Sequence, residues 1–419
     1  MTGDELRVGL IGFGAIGRVH AWAHENLKWY YDNLPVATRI THVATSRRES
    51  AEAAKAVTGA AHAGTDAAAI CTSPDVDLVH ICTPNHLHAQ TLRTALDHGK
   101  LVYCDKPLVA WWAEAQALRR DYPKALERSV GMTFQWRFFP ATMLAATLLA
   151  EGRIGRILSF RACYLHGGSS DPDAPLKWKL SGEAGGGVIA DLASHVVDLL
   201  AGFGARYRSV TARTSIAYDS RPVPGSSGPA GRNAGQDSAG PSEAGAGPPE
   251  SAGAGRARVD AEDHVVALVE ATFPGSGQTA TGTIEATKIA TGTEDEMRFE
   301  IHGSDGAIRF NSLDLHHLEV YETRASGAPA AGLGGFTRLA TGQRYPAPAR
   351  AFPSPKATIG LMRSHVACLA ESVCAFAEGR APRPNGLDGV YVQHILDAMG
   401  RSARDGTAIS IDESLAPMA

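Results

Sequence analysis

Gly12-Phe13-Gly14-Ala15-Ile16-Gly17 stands between the apolar run Leu6–Ile11 and a helical pattern from Ile16 to about Asn33. Glycine is common in this chain (45 residues), so GxGxxG alone carries little weight. Between a buried strand and a helix it carries much more. The first glycine permits a tight turn, the second lets the main chain approach a pyrophosphate, and the third allows the helix to pack closely on the strand. The free N–H groups and positive dipole end of the helix then face the phosphates. Gly12, Phe13, Gly14, Ala15, Ile16 and Gly17 are therefore assigned to a dinucleotide.

Working outward, apolar runs and helical patterns alternate through the first ~130 residues, which implies βαβ units and a parallel sheet. Ile40–Thr45 reads as a second strand followed by a helix at Ser50–Val57. Asp77–Cys82 reads as a third strand, His86–His98 as a helix closed by Gly99, and Leu101–Cys104 as the next strand. From about Arg153 strand-like runs succeed one another: Ile157–Leu165, Val265–Phe273, Thr279–Thr287, Met297–His302, Ala307–Asn311 and Leu315–Tyr321. That succession implies an antiparallel sheet, with a helix at Ile359–Glu378 returning to the body. The fold class is thus α/β plus α+β. A Rossmann dinucleotide-binding domain (1–132) is followed by a domain on an open, mostly antiparallel sheet (133–419).

Two stretches differ. Pro222–Arg256 is nearly all Gly, Ala, Ser and Pro, and such a composition buries too little surface to offset its ordering entropy; a disordered insertion is expected over 222–256. Ser326–Pro355 is also Gly/Pro-rich, but Phe336, Leu339, Tyr345 and Phe352 punctuate it. An ordered long loop over a site or an interface is expected there.

Composition narrows the partners. The chain is 419 residues long, 44% hydrophobic and 20% charged, with a formal net charge of -4. No basic stripe is present, which argues against nucleic acid and anionic membranes. No apolar stretch approaches the ~20 residues that span a bilayer. Met1–Arg7 is polar and acidic and runs straight into a strand, so no signal peptide is expected and a cytoplasmic location follows. The six cysteines form no CxxC pair and no zinc spacing with histidine, and no metal is expected.

Where the second strand ends, Ser46, Arg47 and Arg48 stand in place of the acid that would hold a ribose 2′-hydroxyl. Guanidinium groups beside a hydroxyl suit a 2′-phosphate, so NADP is preferred over NAD. An ordinary exposed charged turn is the other reading of that pair. Thr83, Pro84, Asn85 and His88, after the third strand, also face the cofactor edge.

Two clusters carry the chemistry. Cys104-Asp105-Lys106-Pro107 ends a strand on the ligand edge. Gly185-Gly186-Gly187 leads into Asp191, His195 and Asp198, whose spacings of four and three put Asp191 and His195 on one helix face with Asp198 a turn further on. An alcohol oxidation removes a hydride from carbon and a proton from oxygen. His195 has the intrinsic pKa to take that proton near neutrality. Lys106 can stabilise alkoxide character, and Asp191 can orient either. Arg137, His166, Trp178 and Lys179 are the polar and aromatic candidates for a sugar face, with sheet packing or interface ion pairs as their bland alternative.

The chain at this point resembles the glucose–fructose oxidoreductase / inositol dehydrogenase (GFO/IDH/MocA) family. The resemblance rests on GFGAIG, the segment Thr83-Pro84-Asn85-His86-Leu87-His88, Lys106-Pro107, Phe134-Gln135-Trp136-Arg137-Phe138, the run from Gly185 to Asp198, and Gly379-Arg380-Ala381-Pro382-Arg383-Pro384. It implies a Rossmann domain with an open-faced sheet, and hydride transfer between nicotinamide and a secondary alcohol of a sugar or inositol-type polyol. It also implies a Lys106–Asp191–His195 set, a cis peptide at Lys106–Pro107, and a homodimer or homotetramer formed through the sheet. The family usually reads Glu-Lys-Pro where this chain has Asp105-Lys106-Pro107, so the contact of Asp105 with the cofactor is shorter by one methylene. A glycosidase or epimerase working by transient oxidation is the nearest rival, and a non-catalytic nucleotide-binding regulator a remoter one.

Overall fold

The computed structural model describes residues 5–224, 255–275, 277–323 and 335–416. The N-terminal body is a six-stranded parallel sheet in the order β3-β2-β1-β4-β5-β6. Its elements are β1 (Glu5–Ile11), α1 (Ala15–Tyr30), β2 (Ala37–Ala44), α2 (Arg48–Thr58), β3 (His62–Gly64), α3 (Ala67–Thr72), β4 (Leu78–Ile81), α4 (His88–Asp97), β5 (Leu101–Cys104), α5 (Trp112–Asp121), α6 (Pro123–Arg128) and β6 (Val130–Met132). The strand order reverses between β1 and β4. The loops that leave those two strands therefore face one crevice at the carboxyl edge, where ligands of such sheets bind. The run expected as a third strand is the fourth, because a three-residue strand and a six-residue alanine-rich helix precede it. Neither is long enough to show a period. The helix is set locally instead, by Asp66 accepting from the Ala68 N–H at its start.

The second body is a nine-stranded sheet in the order β16-β15-β14-β13-β7-β12-β11-β8-β17. Along the chain come α7 (Pro140–Ala150), β7 (Ile157–Leu165), α8 (Ser194–Gly202), β8 (Arg206–Ser215), β9 (Ser220–Pro222), β10 (Arg256–Arg258), β11 (His264–Thr272), β12 (Thr279–Thr287), β13 (Glu296–Gly303), β14 (Gly306–Asn311), β15 (His317–Glu322), β16 (Thr337–Ala340), α9 (Leu361–Glu378), α10 (Gly386–Asp405) and β17 (Ile409–Ser410). The neighbours β7 and β12 run parallel while the other pairs are antiparallel. Along β11, Val265, Ala267, Val269 and Ala271 are buried while Val266 and Leu268 are exposed. One face therefore packs on helices and the other is open.

Two expectations for the irregular stretches change. Pro222 and Arg256 are not loop residues; they pair across the β9–β10 ribbon, and the low-complexity residues 225–254 lie outside the described residues. Of the stretch 326–355, residues 326–334 lie outside the described residues. Thr337–Ala340 joins the sheet edge, and the rest runs across the end of α1, not over a site. The Arg350 N–H donates to the Tyr30 carbonyl at 2.9 Å, and the Arg350 side chain pairs with Asp32. Arg363, from α9, lies between the rings of Tyr345 and Tyr30. Helix α9 completes the N-terminal core: Val366, Leu369, Val373 and Phe376 pack with Leu6, Val8 and Leu10. The chain crosses back over the boundary near 132. Among the described residues no helix is long and apolar enough to cross a membrane.

Beneath the GxGxxG turn, three buried imidazoles form a chain. His20 Nδ1 meets His80 Nδ1 at 3.1 Å, His80 Nε2 meets His24 Nε2 at 3.0 Å, and His24 Nδ1 meets Thr38 Oγ1 at 2.9 Å. Burial keeps all three neutral; His24 falls to about 3, and His20 and His80 lie well below the usual imidazole range. Burial also lowers His88 and His195, and brings His365 to about 4. The unfolded chain binds these protons near pH 6.5 and the folded chain does not, so each imidazole removes about 1.4 kcal/mol of stability per pH unit below that value. His42, His166 and His394 are lowered too, whereas Asp105, Glu114, Asp198, Glu262 and Asp397, with raised pKa values, act in the opposite sense but are fewer. The melting temperature should therefore fall steadily from pH 7 to pH 5. A melting temperature unchanged across that interval in a scanning fluorimetry series would contradict the buried neutral chain.

Candidate active site

The dinucleotide crevice is built from backbone. Gly12 has φ +90, and a Cβ there would come within 2.3 Å of the Cys82 carbonyl oxygen; a Cβ on Gly17 would come within 2.2 Å of the Gly12 carbonyl oxygen. These positions accept only glycine, and the turn hugs the end of β4 as a result. Helix α1 has no side-chain cap and no acid in its first turn, so its N–H groups are left for an anion. The Thr83 hydroxyl is buried with no partner beside the same loop. That donor set and cradle fit a nicotinamide dinucleotide.

The other cofactor candidates divide. The Thr45 hydroxyl donates to the Arg47 carbonyl at 2.8 Å and shapes the turn that presents Ser46 and Arg47. Arg48 is turned along α2 to Glu52 at 2.5 Å, which takes its guanidinium away from that turn. His88 is a correction. It is buried, with Nδ1 3.0 Å from the Pro107 carbonyl and Nε2 2.9 Å from the Thr83 carbonyl, so both ring nitrogens face backbone between the two loops and neither is turned to a cofactor. The Asn85 side chain likewise donates to the Gly185 carbonyl at 2.7 Å, and so fastens the β4 loop to the glycine run of the second body.

That glycine run sets the reactive groups. Gly185 and Gly187 have φ +71 and +107, and a Cβ on Gly187 would meet the Glu262 carboxylate at 2.3 Å. Glu262 Oε1 in turn accepts from the Ile189 N–H at 3.0 Å, which caps the turn. The segment Ile189–Ala193 is a π-helical turn that continues into α8. Such turns are frequent at functional sites because they re-aim a carbonyl and a side chain. Here the Asp191 carbonyl accepts Lys106 Nζ at 2.6 Å and the Asp191 carboxylate accepts the same amine at 2.9 Å. The Lys106–Pro107 peptide is cis. Lysines surround the Asp191 carboxylate and hold it well below the usual range despite burial. Asp105, next to Lys106, is pushed up to about 6 by burial, against the pull of Lys106.

His195 follows Asp191 by four residues and is buried against Tyr164 (ring centroids 5.6 Å) and Phe134 (6.4 Å). Its Nδ1 has no hydrogen-bond partner. Burial first, and the Lys106 charge second, hold it well below the usual imidazole range, so it is neutral at pH 7. A neutral imidazole and the Lys106 amine thus come from the two bodies to within range of each other's charge.

The substrate candidates fare unevenly. Arg137 is committed elsewhere: it makes two hydrogen bonds to the buried Asp198, at 2.9 and 2.5 Å, and pairs with Asp388 at 3.3 Å. Asp198 is therefore turned into the core, one turn past His195, and neither residue of the pair is offered to a sugar. Lys179, 47% exposed, reaches Asp191 Oδ1 at 3.1 Å from the solvent side. His166 sits close enough to Asp191 and Lys288 to feel both charges, and burial lowers its pKa. Trp178 is half-buried in the short helix Trp178–Leu180 beside Lys179. Two residues escaped the sequence reading. Lys288, 3% exposed, stands 3.2 Å from Asp191 Oδ2, and Glu262 props the glycine run. Neither belongs to a motif; the one available signal was a lysine directly after the strand Thr279–Thr287.

Known proteins resemble the chain along its length. Residues 6–129 match the model described as "Oxidoreductase family, NAD-binding Rossmann fold", and residues 142–309 match the GFO/IDH/MocA C-terminal domain. Levoglucosan dehydrogenase of Pseudarthrobacter phenanthrenivorans is 31% identical over 413 residues, covering 98% of this chain and 99% of that one. Inositol 2-dehydrogenase of Rhizobium meliloti is 29% identical over 217 residues, 51% of this chain and 60% of that one. Among solved structures, levoglucosan dehydrogenase in complex with NADH and L-sorbose superposes with a TM-score of 0.84 at 30% identity, covering 98% of this chain and 100% of that one.

Proposed function

The chain belongs to the GFO/IDH/MocA oxidoreductase family, and from that membership we propose that its alcohol is a rigid neutral sugar of the levoglucosan type. It is an NAD(P)-dependent oxidoreductase acting on a CH–OH group of a sugar or polyol. The full-length similarity to a levoglucosan dehydrogenase supports the narrower substrate class. The observation that carries the mechanism is the contact of Lys106 Nζ with Asp191 Oδ1 at 2.9 Å, one turn before a neutral buried His195.

In this reading the bound nicotinamide supplies the hydride acceptor, and the residues do the rest. Lys106 donates a hydrogen bond to the reacting hydroxyl and stabilises the negative charge that grows on its oxygen. His195 takes the hydroxyl proton. Asp191 holds the Lys106 amine in line and accepts from a neighbouring hydroxyl. Trp178, His166 and Lys179 line the sugar. Replacing Lys106 or His195 by alanine should lower kcat by roughly 10²–10⁴-fold. The His195 pKa lies below about 6.5 in the folded protein, so its base form dominates at neutrality and kcat/KM for oxidation should fall only as pH drops below that value. Steady-state rates with levoglucosan, hexoses and inositols test both statements. Near-native turnover in either variant, or an acid limb centred above pH 7, would remove the residue concerned. Loss of a glycoside without matching build-up of reduced cofactor would favour transient oxidation instead.

The cofactor is read as NADP(H) in preference to NAD(H). No carboxylate follows β2, and Ser46 and Arg47 offer a hydroxyl and a guanidinium to a 2′-phosphate. Arg47→Ala should raise KM for NADP about tenfold or more and leave that for NAD nearly unchanged. Equal effects on the two cofactors, or wild-type preference for NAD, would defeat this assignment.

The subunits associate through the open sheet face, where Leu158, Val266 and Leu268 are exposed. Light scattering should give a dimer or tetramer for the wild type and smaller species for Leu268→Lys. A monomeric wild type at micromolar concentration would dispose of the interface.

A further inference from the structure

Lys288 belongs to no motif of the site, yet its backbone is fixed as firmly as any residue there. It follows the last residue of β12; its N–H donates to the Asp263 carbonyl at 2.8 Å and its carbonyl accepts from the Ser169 N–H at 2.8 Å. The side chain is 3% exposed, and its Nζ lies 3.2 Å from Asp191 Oδ2, an ion pair that lacks hydrogen-bond geometry and leaves the buried amine with no other partner among the described residues. Among the described residues no other carboxylate is within ion-pair distance of it. Lys106 meanwhile takes Oδ1 at 2.9 Å, and Lys179 reaches Oδ1 at 3.1 Å from the solvent side. The two oxygens of Asp191 are thus divided between a reactive amine in front and a buried amine behind.

We propose that Lys288 is a positioning residue for the redox reaction, fixing the plane of the Asp191 carboxylate and, through it, the place of the Lys106 amine. The proposal rests on the reading of Lys106, Asp191 and His195 given above. The torsion that turns a carboxylate is broad and nearly two-fold, so a carboxylate held through one oxygen alone can swing. With a buried cation 3.2 Å from its second oxygen, that swing is opposed. A displacement of about 1 Å in a reacting group costs on the order of 10²-fold in rate. Lys288 is 3% exposed and acts through Asp191, so its effect falls on kcat more than on KM.

Charge supports the same role. Burial lowers the Lys288 pKa below the usual lysine value, and Asp191 is the neighbour that pulls it back up. Lys106, Lys179, His166 and Glu262 are the other titratable groups whose charges it feels or which feel it. As pH rises, Lys288 loses its proton, Oδ2 loses its partner, and kcat should decline along an alkaline limb that begins below the ordinary lysine pKa.

The test uses the full chain, both nicotinamide cofactors and the alcohol of the panel above (levoglucosan, hexoses, inositols) that the wild type oxidises fastest. Lys288→Met keeps the length and removes the charge. Lys288→Arg keeps a charge that is not lost below about pH 12. K288M should lose roughly 10–100-fold in kcat with KM changed less than about threefold, and should lack the alkaline limb. K288R should recover most of kcat, with its alkaline limb moved up by about one pH unit or more. Wild-type kcat in K288M, a fall shared equally by kcat and KM, or an unmoved limb in K288R would overturn the proposal. If K288M does not fold, the limb in K288R decides. Failure of the site reading looks different: Lys106→Ala and His195→Ala would then turn over at the native rate whatever Lys288 does.

Discussion

The contact between Lys106 and Asp191 joins the two bodies at the place where the proposed chemistry is centred. Lys106 comes from the end of β5 and Asp191 from the π-turn before α8, and both are mostly buried. Removing two such charges from water costs several kcal/mol each unless the geometry and the remaining hydrogen bonds repay it. The surroundings meet that condition. The Asp191 carbonyl supplies a second acceptor to the amine, and Lys179 and Lys288 supply further cations to the carboxylate. Asn85 and Glu262 secure the glycine run on either side of it. Each of these groups makes sense once the pair is treated as fixed, and few of them do without it.

Much of this was legible in the chain, and the divisions between what was and was not have physical causes. The strands Leu101–Cys104, Ile157–Leu165 and Thr279–Thr287 have the expected bounds, because a buried strand flanked by turn residues announces both ends. β3 and α3 were hidden by their shortness, and β8 and α10 by lying outside the runs that drew attention. Lys106, Asp191 and His195 are readable because glycines and a proline force the backbone around them. Arg137 misled because a sequence shows that an arginine is near a site but not which carboxylate it faces; Asp198 and Asp388 come from α8 and α10, far apart in the chain. His88 misled for the same reason, since its two backbone partners lie on separate loops. Lys288 was invisible because its meaning is wholly tertiary.

The distribution of charge explains how a weak base can serve the oxidation. Three lysines face Asp191, and although Asp105, held up to about 6, is still mostly ionised at neutrality, positive charge is in excess around Asp191. That excess favours negative charge on the substrate oxygen and disfavours a proton on His195. A neutral imidazole with a depressed pKa is a poor base toward a free alcohol. In the proposed reaction, however, the alcohol would lie beside Lys106, and the ammonium would lower the cost of alkoxide character on its oxygen. Proton removal and hydride loss are then favoured together and neither alone, which ties the oxidation of a sugar to the presence of both a bound cofactor and an ordered Lys106. In the same reading, once the carbonyl product had formed the cations would disfavour the imidazolium, so its proton would be released and the site would return to its starting charge. The array of lysines around one aspartate is thus a device for holding electron density on oxygen briefly, and its precision depends on how firmly that aspartate is gripped from behind.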